Sequence, residues 1–99
     1  MDLARFELSL DSDAPPAGLG VALRGLWWAR RGRWDLAHEL VQDDAGTDAA
    51  WVHAWLHREE GDLPNADWWY RRAGQERPDR DLGDEWRSIV VALLAGSAD

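Results

Sequence analysis

The chain contains no cysteine and no lysine, and only one methionine, one tyrosine and one phenylalanine stand among its 99 residues. Without cysteine there is no disulfide framework, no thiolate metal site and no thiol nucleophile. With every basic residue an arginine, the simplest source is a coding bias rather than a surface built for bidentate anion recognition. No stretch reaches the roughly 20 consecutive apolar residues that span a bilayer, and the N-terminus lacks a basic-then-apolar signal pattern. A cytoplasmic protein without a membrane partner is therefore expected. Phosphate loops and nucleophile elbows are also missing, and Ser9, Ser12, Ser88 and Ser97 lie in no recognisable motif. No catalytic residue and no cofactor are assigned.

Acidic residues dominate, 19 against 11 basic, for a net charge of −8. That balance disfavours a nucleic-acid partner, whose phosphates require a basic surface. The abundant residue is tryptophan, with 8 copies. Each indole can bury roughly 150–250 Å², so much of the core is expected to be aromatic.

Apolar residues recur at helical rather than strand spacing. Leu19 to Arg31 reads as a helix that is apolar on two sides, through Leu23, Leu26 and Trp27 and, opposite, Val21, Gly25 and Trp28. Such a helix is packed on two sides. Trp34 to Asp43 divides into an inward Trp34, Leu36, Ala37, Leu40 and Val41 and an outward Asp35, His38, Glu39 and Gln42. In the central helix Trp51, Val52, Ala54, Trp55 and Leu56 share one arc, and His53, His57 and Glu60 fall on the other side; Thr47 or Asp48 caps it. Gly61 ends that helix, and Asp62 caps the next, with Pro64 in its first turn. There Ala66, Trp69, Tyr70 and Ala73 form the inner face, while Asp67, Trp68, Arg71 and Arg72 lie outside. Pro78 stops the pair. A last helix, Leu82 to Ala95, turns Trp86, Ile89, Val90 and Leu93 inward behind an Asp81 cap.

The expected architecture is all-α, with two stacked antiparallel helical hairpins and a C-terminal capping helix over residues 19–95. Residues 1–18 are expected to be extended or poorly ordered, with Phe6 to Leu10 either a short extended piece packed across the helices or one helical turn, and 96–99 to be a frayed tail.

The two hairpins echo each other at a spacing of 29 residues: Gly32 and Ala37 align with Gly61 and Ala66. Helix pairs of this kind stack because each alone leaves an apolar face open. Through Gly25, Trp28, Gly32 and Ala37, and then Ala54, Gly61, Ala66, Tyr70, Ala73 and Pro78, the chain resembles the tetratricopeptide and Sel1-like repeats. The period is shorter than theirs, and only two units are present. Trp51 to Gly74 also resembles a family of small, functionally uncharacterised bacterial proteins, which supplies no activity. What the repeat resemblance implies is a protein-interaction module or subunit, its partner unspecified and a second copy of the chain included.

His53 and His57, four residues apart, stand side by side on one helix as a two-histidine metal site requires. Glu60 lies on the same stripe but too far along the axis from His53 for all three to hold one ion. Ala54 occupies the place where a zinc protease carries its base, so no metal is assigned. The expected binding face is His53, His57, Glu60, Trp68, Arg71 and Arg72, with Trp68 and its arginines having the composition of a binding hot spot. The competing reading is a small enzyme or metal- or ligand-binding protein using His53, His57 and Glu60. Arg30, Arg31 and Arg33 read as solvated turn charges.

Overall fold

The computed structural model describes residues 1–96, among which there are six α-helices and no strand. They are α1 (Leu3–Ser9), α2 (Val21–Arg30), α3 (Trp34–Gln42), α4 (Thr47–Glu59), α5 (Leu63–Arg72) and α6 (Leu82–Gly96). Of the tail expected to fray, all but Gly96 lies outside the described residues.

Short closures join the helices. Gly32 and Gly61 take φ of +79° and +88°, a left-handed conformation that costs glycine little. At both, the following N–H returns to a carbonyl five residues back, Arg33 to Trp28 and Asp62 to His57, each at 2.9 Å. That closure satisfies carbonyls the helix would otherwise leave unpaired. With so few residues between them, α2 must fold back on α3 and α4 on α5. Asp62 caps α5 through the Asn65 N–H at 3.4 Å, with Pro64 in the first turn. Asp81 accepts the Asp84 N–H at 2.7 Å at the start of α6. Helix α4 departs from expectation: its N-cap is Gly46, and neither Thr47 nor Asp48 caps it.

The N-terminal segment differs more. Residues expected to be extended or poorly ordered hold α1, capped by Asp2 accepting the Arg5 N–H at 2.9 Å. Leu3, Phe6 and Leu10, spaced as one helical face, turn into the core, whereas Leu8 is 71% exposed. The alternation of Phe6 to Leu10 mimicked a strand because Glu7 and Ser9 separate residues that serve different faces of a helix.

Helix α4 is the centre, packed against α5, α3, α2 and α6. Four indole N–H groups stitch the elements together. Trp27 donates to Ser9 Oγ (3.1 Å), Trp34 to the Leu56 carbonyl (2.8 Å), Trp55 to that of Leu82 (3.1 Å) and Trp86 to that of Leu26 (2.9 Å). A buried indole needs such a partner, and its ring meanwhile fills volume in the core. A second anchor is Glu85, only 2% exposed. Its carboxylate accepts from Arg58 Nη1 at 2.7 Å and from the Tyr70 hydroxyl at 2.6 Å, and Arg58 Nη2 donates to the Arg80 carbonyl. This network joins α4, α5 and α6. Burial and the neighbouring carboxylate push the Tyr70 hydroxyl pKa far up, so it remains a donor.

Candidate functional site

The chain has three histidines, and all three meet. His38 comes from α3, and His53 and His57 come from successive turns of α4. Each offers one ring nitrogen, and the three nitrogens lie within 4.8 Å of one another. His38 Nε2 and His53 Nε2 are 3.1 Å apart. A tetrahedral ion bound at about 2.0–2.1 Å sets its nitrogen donors roughly 3.3 Å apart. The first pair stands near that spacing and is joined by a hydrogen bond in which one nitrogen carries the proton, which an ion would displace.

This overturns one expectation. His53 and His57 do not face solvent; they are 4% and 7% exposed. Because α4 is enclosed on several sides, its polar stripe is covered by α3 and α5, and it becomes a seam instead of a surface. The indoles of those two helices fix the rings. Trp34 stacks on His38 with centroids 4.7 Å apart, Trp69 stacks on His53 at 3.8 Å, and His53 stacks on His57 at 4.8 Å. Stacked imidazoles have little freedom to rotate, so the donors are pre-positioned.

The hydrogen bonds assign the His57 tautomer. Glu60 Oε1 lies 2.6 Å from His57 Nδ1, and Asn65 Nδ2 lies 3.4 Å from His57 Nε2. A carboxylate accepts, so Nδ1 carries the proton, and the Nε2 lone pair faces the amide of Asn65. A carboxylate behind an imidazole is the arrangement that orients a metal-bound histidine and raises its basicity. At His53 the Nδ1 atom is buried without a hydrogen-bond partner. Burial foremost, then His38 and His57, push the His53 pKa down to about 4. His38 is also lowered, first by burial and then by His57, with Glu60 opposing. Both rings are therefore neutral near pH 7, the form that can donate to a metal.

Glu60 cannot join His38 and His53, as the helix geometry required, but it belongs to a second set. His57, Glu60 and Asp62 bring ligand atoms within 4.8 Å of one another. The other expected residues lie apart from the imidazoles. Trp68 is 50% exposed, its ring edge-on to Trp69 at 4.8 Å. Arg72 sits over both indoles, 6.0 Å from Trp68 and 5.9 Å from Trp69, and Arg71 is exposed. Of the turn arginines, Arg30 lies over Trp86, Arg31 reaches the Leu10 carbonyl at 2.7 Å, and Arg33 pairs with Asp35.

The residue that sequence reasoning missed is His38, placed outward on α3. The available signal was that three histidines fell on two helices expected to be neighbours. Choosing His38 over any other polar residue of α3 required knowing which side of α3 meets α4. A cleft of about 400 Å³, lined by Val21, Thr47 and Leu93 among others, lies at the opposite end of α4 from His57, and none of the histidines lines it. Comparison with known proteins finds no matching family model, no similar curated protein and no similar solved structure.

Proposed function

We propose that the chain is a small helical metal-binding protein, with His38, His53 and His57 holding one divalent transition ion of the zinc class. The observation that supports this reading most directly is the meeting of every histidine at one buried point, with ring nitrogens within 4.8 Å. Imidazole donors without thiolates suit Zn, Co, Ni and Cu(II), whereas Mg and Ca prefer oxygen. Three protein donors leave a fourth position open for water or another ligand, as at catalytic zinc sites. Binding of the ion is the function this donor set supports.

Titrating metal-stripped protein with cobalt(II) or zinc tests the reading, followed by cobalt absorption and by histidine ring shifts in NMR. One equivalent should bind and move all three rings together, and His38→Ala should weaken binding at least tenfold. Rings that do not respond to a tenfold excess of either ion overturn it.

A second reading is favoured by Trp68. A half-exposed indole carrying Arg72 on an otherwise acidic protein has the composition of a contact hot spot. On this reading the helix pairs stack as tetratricopeptide- or Sel1-like hairpins under a capping α6, and a protein partner or a second copy docks at Trp68, Arg71 and Arg72.

A further inference from the structure

His57 belongs to two donor sets, and the two differ in both exposure and chemistry. The inner set, His38, His53 and His57, is entirely imidazole and largely buried. The outer set is His57, Glu60 and Asp62, in which the Glu60 side chain is 38% exposed and Asp62 is exposed. A hydrated divalent ion cannot pass directly among stacked rings, because shedding all its water before any protein donor replaces it is prohibitive. Carboxylates bind a partly hydrated ion, and imidazoles then compete for a zinc-class metal as water leaves. His57 is common to both sets, so the two positions adjoin.

We propose that His57, Glu60 and Asp62 form a surface loading position through which the divalent ion reaches the inner imidazoles, an inference that rests on the metal-binding reading above. The loading position attracts cations of either class, while only an ion that favours nitrogen moves inward. Selectivity is thus set by the second step, and speed by the first. Glu60 has a double role, because it also holds His57 through Nδ1 at 2.6 Å. Asp62 is the cleaner probe. It caps α5 through the Asn65 N–H, and asparagine caps a helix about as well as aspartate.

The experiment is stopped-flow mixing of metal-stripped protein with cobalt(II), read through quenching of the adjacent Trp34 and Trp69 indoles, for wild type, Asp62→Asn and Asp48→Asn. Asp48, in the first turn of α4, removes the same charge at the helix end remote from His57. Asp62→Asn should slow association about three- to tenfold and dissociation by a similar factor. The cobalt spectrum, the stoichiometry and the metal-free melting temperature should stay unchanged, and Asp48→Asn should leave both rates within twofold of wild type. Unchanged association in Asp62→Asn overturns the loading position while leaving the inner site standing. A change in dissociation alone also overturns it, since Asp62 would then act on the bound ion only. Equal slowing by Asp48→Asn reduces the effect to net charge and overturns it as well. A wild type that binds no cobalt sinks the inner site, and the loading position with it.

Discussion

The pair α2–α3 and the pair α4–α5 close with the same turn 29 residues apart, yet only the second carries the histidine pair. Their closures coincide: Gly32 and Gly61 share a left-handed φ, the following N–H makes the same 2.9 Å bond, and Ala37 and Ala66 are both fully buried. Gly25 and Ala54 also correspond, both being small residues buried beneath a partner helix. Where Arg24 and Trp28 stand in the first pair, His53 and His57 stand in the second. Leu40 and Val41 correspond to Trp69 and Tyr70. Backbone-determined positions therefore repeat. Positions that meet a unique neighbour do not, and these are the positions that create the site. The first pair is sealed by aliphatic contact, with a Cβ on Gly25 falling 2.9 Å from Val41 Cγ1. The second is sealed by rings and hydrogen bonds.

If that contrast is right, the second pair is the more sensitive to loss of a polar partner. Arg58→Ala leaves the Glu85 carboxylate buried beside the Tyr70 hydroxyl alone, and it should cost about 3–5 kcal/mol in urea denaturation. A loss below about 1 kcal/mol would show that the network contributes little and that the two pairs are sealed alike. The first pair should instead be sensitive to added volume. Gly25→Ala should destabilise by about 1–3 kcal/mol despite its better helix propensity, because Val41 and Val52 leave the methyl no room. The reverse exchange at the corresponding position, Ala54→Gly, should cost about 1–2 kcal/mol, from lost helix propensity and a lost buried methyl. A stabilising Gly25→Ala, read by the same denaturation curves, would show that α2 and α3 leave room for the methyl. The smallest effect concerns the shared turn. Gly32→Ala and Gly61→Ala meet no atom within 4 Å, so each should lose only the left-handed strain of about 1 kcal/mol. Thermal melts of the two variants should agree closely, and a marked difference would show that the turns are not equivalent.

The sequence was most informative where one residue type answers one local demand. Gly61, Asp62 and Pro64 marked the turn, cap and start of α5, and Trp86, Ile89, Val90 and Leu93 marked the inner face of α6. It was less informative where two elements must be placed together. His53 and His57 read as outward because a single helix shows only its own periodicity, and a central helix has no outward side. His38 looked like one of several polar residues on α3 until α4 gave it neighbours. Helix α1 was obscured for a related reason: seven residues hold too few turns for a period of 3.6 to stand out against alternation, and Trp86, 80 residues downstream, supplies the ring that Phe6 packs on.

The indole of Trp86 has a consequence for how the molecule is made. It donates to the Leu26 carbonyl across 60 residues of chain, and at a synthesis rate of about 5–20 residues per second those positions leave the ribosome roughly 3–12 s apart. During that interval the nascent polypeptide carries a bare aromatic flank. Its acidic character repels like-charged chains during that interval.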